Sequence, residues 1–536
     1  MSVGYAALAV LLFWSLLHGI RHILNRPSRG AVLPWNLNKT RRFSSSTIQL
    51  SLHHVHLQVQ TTACNTLHDR FIHLLTSKGN RKYKIWLSSL YKIGYYFAIL
   101  GMAAATIILF WTCWLLLYKI SSRSPFTVTT HLNKRHNPGS ISQSQVWPTI
   151  TPLIPGITVP LSDLPIIICA VFVSQIIHEL GHAIAAATEN VSIQSIGASL
   201  TLIIPSASVA FTFDGLSPRS RSLIVSAGPF HNLVFWLVLA LVARINLTQY
   251  FWRFAYQDIT DKGRIIINVS HDSALGEYLY PGSLITHIND TPLNSIGVSD
   301  DLWGVISQDS QANDVAGWCV DQVAFSKSQS CCFRNMSEAY PLSCFRATEE
   351  SSSVYGCIDP LPPLTSSNSS VRCTRNSPCS PSFICTHPDE REQLWRLTVF
   401  HPEKEQNIIL WSGSLEEVQR TVTLDTLKPR LLIFPLYLPL LFARFSRYLS
   451  LATLSLFFFN LLPIHRLDGY HLLKIVLGMG PGEPDQSNVY DMEANAGADR
   501  HPRFQSRAAQ LLSIWLPKLT LGALALSVVL TLLSAG

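Results

Sequence analysis

The chain has 536 residues, of which 14% are charged and 48% are hydrophobic, and its formal net charge is +8. About 25% of residues are charged in a typical soluble protein, so this composition excludes an ordinary soluble protein. The basic residues lie between apolar blocks, which is typical of membrane-protein loops and not of a nucleic-acid-binding surface. We therefore expect a multi-pass α-helical membrane protein that makes no direct contact with nucleic acid.

Apolar blocks recur along the chain, and several exceed the roughly 20 residues that cross a bilayer. Basic residues follow the first block and do not precede it, which favours an uncleaved membrane helix over a signal peptide. The block 196–213 contains Pro205 and several serines, so it is compatible with a re-entrant hairpin whose backbone is covered by protein. The blocks are 3–24, 91–118, 162–188, 196–213, 222–243, 431–464 and 508–534.

The distribution of Lys and Arg predicts the orientation. Residues 20–92 hold twelve basic residues and one acidic residue, Asp69, so this segment is expected in the cytosol. Successive crossings then place 119–161 and 244–430 in the lumen. The predicted order is a membrane helix (1–24), a basic cytosolic loop (25–90), a membrane helix (91–118), a luminal loop (119–161), a membrane core (162–243), a luminal domain (244–430), a membrane segment (431–480), a cytosolic loop (481–507) and a C-terminal membrane helix (508–536).

Eight of the eleven cysteines fall within 319–385, in the predicted luminal domain. An even number of cysteines outside the cytosol indicates a disulfide framework, although the pairing cannot be deduced from sequence. A zinc-ribbon module is the alternative, but it requires Cys-x-x-Cys pairs and none occurs. Sequons at Asn335 and Asn368 could carry glycans in this domain, whereas the sequon at Asn38 is expected to be cytosolic and unused. The eight cysteines are Cys319, Cys331, Cys332, Cys344, Cys357, Cys373, Cys379 and Cys385.

The flanks of this cysteine-rich insert predict a small β-rich domain. Residues 264–270 and 283–288 alternate as strands do, and 394–401 and 406–411 predict a second strand pair. A short helical pattern follows and runs from Leu415 to Val418. The insert is therefore expected to interrupt one β-rich domain.

The chemistry-bearing motif is His178-Glu179-Leu180-Gly181-His182, in the third apolar block. Histidines four residues apart lie on one face of an α-helix and can bind one Zn²⁺. Glu179 can then act as general base towards a zinc-activated water. Ionisable residues are costly in a membrane helix and usually functional, although a polar face packed against other helices is the plain alternative.

Two histidines leave zinc short of a third protein ligand. The metzincin continuation fails because Ala185 and Thr188 stand where glycine and histidine are needed, and no gluzincin Glu-x-x-x-Asp pattern occurs in the later membrane blocks. Asp468 follows Pro463 at the end of a later apolar block, and the proline can break the helix and direct the carboxylate. Asp468 is the natural third ligand, with a plain helix-terminal aspartate as the alternative.

These motifs resemble those of the site-2 proteases, which are intramembrane zinc metalloproteases. The family pattern His-Glu-x-x-His is complete at 178–182, Gly-x-x-x-Asn at 228–232, and Asn-x-x-Pro-x-x-x-Leu-Asp-Gly at 460–469. The resemblance spans roughly 162–480, and the cysteine-rich insert resembles the animal-type enzymes. It implies a PDZ-like luminal domain between the motif helices. The chain departs from the family pattern at three positions, with His465 and Arg466 where apolar residues are common and Tyr470 where a glycine is common. His465 and His471 are therefore rival metal ligands. We expect Arg466 to lie at the cytosolic interface.

The resemblance implies one Zn²⁺ per chain held by His178, His182 and Asp468, with Glu179 as the base. It also implies that Asn232 and Asn460 hold the unwound substrate strand, with helix-to-helix hydrogen bonding as the plain alternative. The implied substrates are membrane-anchored transcription factor precursors, of the sterol regulatory element-binding protein and unfolded-protein-response types, cut in the membrane after a first luminal cut. The implied location is the Golgi or the endoplasmic reticulum.

Two other functions are compatible with a membrane protein of this kind. A catalytically inactive scaffold with a luminal binding domain would be free to lose Glu179, which is present. A transporter with a structural metal site predicts inverted repeats, and no internal repeat is evident.

Overall fold

The computed structural model describes most of the chain, and it divides into two compact units. Unit 1 comprises Met1–Arg244 and Arg444–Gly536, and unit 2 comprises Ile245–Ala443. Cys331 and the sequon residues Asn38, Asn335 and Asn368 lie outside the described residues. The described residues are 3–24, 43–45, 47–121, 159–212, 215–270, 272–297, 302–309, 316–328, 332, 342–348, 353–365, 372–374, 378–401, 406–431, 433–478 and 507–535.

The N-terminal part of unit 1 combines five helices with an antiparallel five-stranded sheet. The strand order is β1-β2-β3-β4-β5, a simple meander interrupted in sequence between β3 and β4 by three helices. The elements are α1 (Val3–Leu24), β1 (Phe43–Ser45), β2 (Ile48–His53), β3 (His56–Thr61), α2 (Asn65–Thr76), α3 (Arg81–Ser121), α4 (Leu164–Thr188), β4 (Ile193–Thr201), β5 (Ile204–Phe211) and α5 (Pro218–Arg244).

The segment predicted as a loop, 25–90, is largely structured where it is described. It contains β1 to β3, α2 and the first turns of α3. α3 has 41 residues, far more than the 28 predicted for 91–118. At about 1.5 Å per residue it exceeds the ~30 Å hydrocarbon core, so its polar N-terminal part extends beyond any membrane it crosses. The prediction was shorter because hydropathy detects only the apolar part of α3 and not its polar first turns.

The block 196–213 forms a hairpin of two β-strands. Its two-residue turn contains Leu202 with a φ of 59°, and Thr201 pairs with Ile204 across it. β3 pairs with β4 along six residue pairs. Because α2, α3 and α4 lie between these strands in sequence, the chain returns to the same sheet after α4.

Side chains of α1 contact the turns of this sheet. Trp14 Nε1 donates to the carbonyl of Leu202 at 2.9 Å. His18 Nε2 lies 2.7 Å from the carbonyl of His54, in the turn between β2 and β3. Residues four apart lie on one helix face, so one face of α1 covers both turns.

Small residues allow α4 and α5 to pack closely. A Cβ at Gly181 would lie 2.6 Å from the carbonyl oxygen of Ala227, so only glycine permits this approach. Ala185, Ala186 and Ala187 are fully buried in the same part of α4. Small side chains at helix contacts let backbones approach and compensate for the weak hydrophobic driving force in lipid.

Unit 2 is built around two sheets. The larger has the order β16-β15-β8-β7-β17, with β9 paired to β8, and the smaller has the order β12-β11-β14-β10-β13. The elements are α6 (Leu247–Ala255), β6 (Tyr256–Asp258), β7 (Arg264–Val269), β8 (Leu284–Ile288), β9 (Thr291–Pro292), α7 (Leu302–Asp309), β10 (Gly317–Asp321), α8 (Gln322–Ser326), β11 (Ser343–Thr348), β12 (Ser353–Ile358), α9 (Leu361–Thr365), β13 (Arg372–Cys373), β14 (Phe383–Pro388), β15 (Leu394–Phe400), β16 (Asn407–Ser412), α10 (Leu415–Thr421), β17 (Val422–Asp425) and β18 (Leu427–Pro429).

The prediction that one β-rich domain is split by the insert is confirmed. β7 and β8 precede the insert, β15 to β17 follow it, and all five form one sheet. Ser414 caps α10 by accepting from the backbone N–H of Glu417, which explains the helical pattern predicted there. The insert forms the second sheet, with a buried cluster of its own around Phe325 and Phe345.

The cysteines of the insert form disulfides, as predicted. The pairs are Cys319–Cys379, Cys332–Cys344 and Cys373–Cys385, and Cys357 is also disulfide-bonded. The alternative of a zinc-ribbon module fails because disulfide sulfurs carry no thiolate to bind a metal. The cysteines of the described chain that remain free are Cys64, Cys113 and Cys169, all outside the insert.

The C-terminal part of the chain supplies three more helices. They are α11 (Leu438–Asn460), α12 (Asp468–Val476) and α13 (Arg507–Ala535). α11 is shorter than the apolar block 431–464 because Pro439 is tolerated only in the first turn of a helix and Pro463 follows the last turn. In the described part of the chain, the helices long and apolar enough to span a membrane are those within Lys78–Ser121, Leu161–Thr188, Pro218–Arg244 and Arg507–Leu533. The chain therefore has the helices of a multi-pass membrane protein.

Candidate metal centre

His178 and His182 lie one turn apart on α4 and face the same point. Their Nε2 atoms are 3.1 Å apart, and both residues are buried. This follows from the helix period, since residues four apart project from the same face. The third apolar block therefore supplies two imidazole nitrogens at one place inside unit 1.

Asp468 joins this pair from the first position of α12. Its Oδ2 lies 3.0 Å from His178 Nε2 and 3.4 Å from His182 Nε2. The helix break after Asn460 makes this possible, because α11 ends before Pro463 and α12 starts afresh at Asp468. A Cβ at the next residue, Gly469, would clash with backbone oxygens of Leu461 and Leu462, so glycine is needed for the tight return.

The three side chains fit a Zn²⁺ ion by chemistry and spacing. Two imidazole nitrogens and one carboxylate form the three-ligand set of catalytic zinc sites, which keep a fourth position for water. Tetrahedral bonds of about 2.0–2.1 Å place ligand atoms roughly 3.3 Å apart, close to the spacing found here. The buried Oδ2 of Asp468 accepts no hydrogen bond within the described chain, and a buried carboxylate oxygen calls for a cation.

Neighbouring groups orient the two imidazoles. His182 Nδ1 lies 2.8 Å from the carbonyl of Ile224, so Nδ1 carries the proton and Nε2 is left for a metal. His178 Nδ1 has the side-chain amides of Asn232 at 3.3 Å and Asn460 at 3.4 Å. The Oδ1 of Asn232 is buried without a partner, and turning this amide over would let Oδ1 accept from His178 Nδ1–H.

The middle of α5 lies directly against the metal-binding face. A Cβ at Gly228 would lie 2.7 Å from His178 Nε2 and would also collide with His182 Nε2. Pro229, the next residue, stands inside the helix and has no N–H to donate. The glycine of the Gly-x-x-x-Asn motif therefore leaves room for the imidazoles, and its asparagine follows one turn later.

Glu179, the residue after His178 on α4, contacts the edge strand of the sheet. Its Oε2 accepts the backbone N–H of Val209 in β5 at 2.9 Å. Gln175, one turn earlier, accepts the N–H of Ala207 at 2.9 Å. The candidate base is thus held by an edge strand, a contact that the motif alone does not predict.

The structure brings the six candidate site residues together. Within the described chain, His178, His182 and Asp468 form a group of three with all ligand atoms within 4.8 Å of one another. The rival ligands His465 and His471 belong to no such group, and His465 is exposed and stacks on Tyr470 at 4.8 Å. The six residues are His178, Glu179, His182, Asn232, Asn460 and Asp468.

Three neighbouring residues were not singled out from sequence. Tyr91 Oη lies 3.0 Å from His231 Nε2, and this pair packs beside Gly181. Gln175 is the third. Gln175 and His231 carried a usable signal, since a polar residue in an apolar membrane helix requires a partner.

Comparison with known proteins agrees with this site. Residues 166–379 match the family described as Peptidase family M50, a region that includes α4 and α5 but ends before Asn460 and Asp468. The chain is also 28% identical over 167 residues to a protein of Arabidopsis thaliana described as a membrane-bound transcription factor site-2 protease homolog. That alignment covers 30% of this chain and 31% of the relative, so it spans about a third of each protein.

The two matches indicate the same family as the sequence motifs, whose residues meet in unit 1. The resemblance to the site-2 proteases is therefore confirmed, and residues 166–379 are similar to peptidase family M50.

Proposed function

We propose that the protein is an intramembrane zinc metalloendopeptidase that cleaves a transmembrane helix of membrane-anchored transcription factor precursors. The observation that carries the proposal is the meeting of His178 Nε2, His182 Nε2 and Asp468 Oδ2, at 3.0–3.4 Å, beside Glu179. These groups come from helices that are apolar or flanked by apolar segments, which is an expensive place for ionisable side chains without a function.

His178, His182 and Asp468 would hold one Zn²⁺ per chain. Bound there, the ion would lower the pKa of a water molecule and polarise the carbonyl of the scissile peptide bond. The carbonyl of Ile224 keeps His182 in the tautomer that presents Nε2. The fully buried amide of Asn232 is placed to do the same for His178.

Glu179 would move the proton. Its carboxylate takes a proton from the attacking water as the water oxygen bonds to the peptide carbonyl carbon. It then gives that proton to the peptide nitrogen as the C–N bond breaks, so the products are a carboxyl and an amine. The N–H of Val209 engages one carboxylate oxygen, Oε2, and a carboxylate has a second oxygen for the proton.

A helical substrate must unwind before this reaction, because its peptide carbonyls are engaged in helix hydrogen bonds. The freed groups need new partners in apolar surroundings. Asn460 is half-buried and offers both a donor and an acceptor, whereas Asn232 is fully buried. We therefore assign Asn460 to the substrate strand and Asn232 to orienting His178.

The proposed orientation places β1 to β5 on the cytosolic side and unit 2 in the lumen. Positive loop charge is one support for it. Because β3 pairs with β4, the positive charge of the segment that carries β3 supports the same side for β4 and β5. The contact of Trp14, midway along α1, with the turn at Leu202 further supports a hairpin that dips into the membrane. The proposed location is the endomembrane system, in the Golgi or the endoplasmic reticulum.

The substrate class rests on the resemblance and on the description of the Arabidopsis thaliana relative, which names a membrane-bound transcription factor site-2 protease homolog. Precursors of the sterol regulatory element-binding and unfolded-protein-response types would be cut after a first luminal cut has shortened them. The β-rich domain of unit 2, which we take as PDZ-like, would act on the luminal side of such substrates. The alternative function is an inactive scaffold, which the intact Glu179 argues against.

Co-expression with a tagged, membrane-anchored transcription factor tests the proposal. Wild-type protein is expected to release the cytosolic fragment, whereas Glu179→Gln and Asp468→Asn are expected to leave the shortened precursor uncut. Equal release by wild type and Glu179→Gln would refute the protease function and leave the scaffold.

A further inference from the structure

The edge of the unit 1 sheet is formed by β5, and α4 covers it. β5 is the last strand in the order β1-β2-β3-β4-β5 and pairs only with β4 among the described strands. Successive residues of an antiparallel strand direct their backbone groups alternately to one neighbour and the other. Ala207 and Val209 therefore direct their N–H groups away from β4, as their bonds to α4 side chains require.

The helix and the strand match in spacing. Gln175 and Glu179 are four residues apart, which is about 6 Å along a helix. Ala207 and Val209 are two residues apart, which is about 6.8 Å along a strand. Gln175 Oε1 and Glu179 Oε2 each accept one N–H at 2.9 Å, so both contacts form at once. Pro205, two residues before Ala207, has no N–H and is of the kind tolerated at a strand edge.

We propose that Gln175 is a positioning residue for the reaction, acting on Glu179 through β5. Its bond to Ala207 fixes the register of the strand edge against α4, and this register brings the N–H of Val209 to Glu179 Oε2. The bond to Oε2 thereby fixes the rotation of the Glu179 carboxylate about its Cγ–Cδ bond. This inference rests on the proposed function, in which Glu179 moves the proton.

A purely structural role for Gln175 is the competing explanation. In that case the bond to Ala207 would stabilise the fold, and its loss would lower the amount of folded enzyme without changing turnover per folded molecule. A positioning role predicts a fall in kcat at unchanged KM, because the acceptor oxygen of Gln175 is engaged by β5 and acts on the reaction only through Glu179. Small displacements of a catalytic group can cost up to about a hundredfold in rate, so we expect a loss of about tenfold.

The experiment compares purified full-length variants acting on a reporter peptide that contains one transmembrane segment. Gln175→Met keeps the shape and removes the acceptor, and Ala207→Pro removes the donor from the other side. The matched control is Gln194→Met, the same change at an exposed position of β4 in the same sheet. Glu179→Gln is included so that failure of the proposed function is recognised separately.

The expected result is a kcat reduced about tenfold in Gln175→Met and in Ala207→Pro, with KM within about twofold, and no change in Gln194→Met. The double variant should lose no more than either single variant, because both remove the same bond. Hydrogen–deuterium exchange across 204–211 should quicken in Gln175→Met and not in Gln194→Met. Wild-type kcat in Gln175→Met, or multiplied losses in the double variant, would overturn the inference if Glu179→Gln is inactive.

Discussion

Asp468 Oδ2 lies 3.0 Å from Nε2 of His178, although the whole of unit 2 separates the two residues in the chain. This pairing defines the site, because it joins the motif on α4 to a carboxylate on α12. A carboxylate buried beside two imidazoles is costly unless a cation balances it. The pairing therefore predicts metal content directly.

Asp468→Asn and His182→Ala are expected to lower bound zinc from about one ion per chain to a small fraction of that. Each change removes one of three protein ligands, and the amide of asparagine is a weaker ligand than a carboxylate. Elemental analysis of the purified protein measures this. His465→Ala and His471→Ala are the controls, since neither lies in the group of ligands. Equal zinc loss in these controls would contradict the assignment.

Gly228→Ala is expected to abolish zinc binding while leaving the protein in the membrane. The added Cβ would collide with His182 Nε2 and lie 2.7 Å from His178 Nε2. The imidazoles would have to move, and metal sites tolerate deviations of only about 0.2 Å. Gly522→Ala in α13 is the matched control, because a Cβ there meets nothing within 4 Å. Full zinc content in Gly228→Ala would show that α5 does not approach the site as described.

Removing the Cys319–Cys379 disulfide is expected to destabilise unit 2. The bond closes 60 residues of chain, for which the loop-entropy relation gives about 4 kcal/mol. Replacing both cysteines by alanine avoids a free thiol, and thermal unfolding measured by protease resistance of unit 2 provides the test. Cys64→Ala, at a free cysteine of unit 1, should change nothing. An unchanged unfolding midpoint in the double replacement would contradict the prediction.

Tyr448→Phe is expected to lower the stability of unit 1 by about 1–2 kcal/mol. The hydroxyl of Tyr448 donates to Asp163 Oδ2 at 2.7 Å and ties α11 to the start of α4, with Arg444 3.6 Å from the same carboxylate. Loss of the donor leaves a largely buried carboxylate less well paired. A thermal-shift assay in detergent measures it, with Tyr118→Phe at an exposed position as the control. Equal midpoints for the two variants would argue against this link.

The sequence predicted that His178, His182 and Asp468 come together, because each residue carries its own chemical signal. Two histidines four apart must share a helix face, and Pro463 ends α11 so that Asp468 can turn inward. The strands on either side of the insert were predicted from alternation and are confirmed, as is the short helix that follows them.

Other features had no local signal. The sheet that joins β3 to β4 depends on pairing between segments far apart in sequence, so 25–90 was predicted as a loop. The block 196–213 is apolar enough for a membrane segment, and hydropathy alone does not distinguish a strand hairpin from a helix. The contact of Glu179 with Val209 arises only from that tertiary pairing. The side of the membrane on which each loop lies stays a prediction.

Proteolysis inside the membrane is tested most directly by giving the purified enzyme a peptide with a single transmembrane segment and identifying the products by mass spectrometry. We expect that wild-type protein cuts within the apolar segment, that a zinc chelator stops cleavage, and that Glu179→Gln binds zinc normally yet cuts at least about a hundredfold more slowly. Wild-type rates in Glu179→Gln, or cleavage only outside the apolar segment, would contradict it.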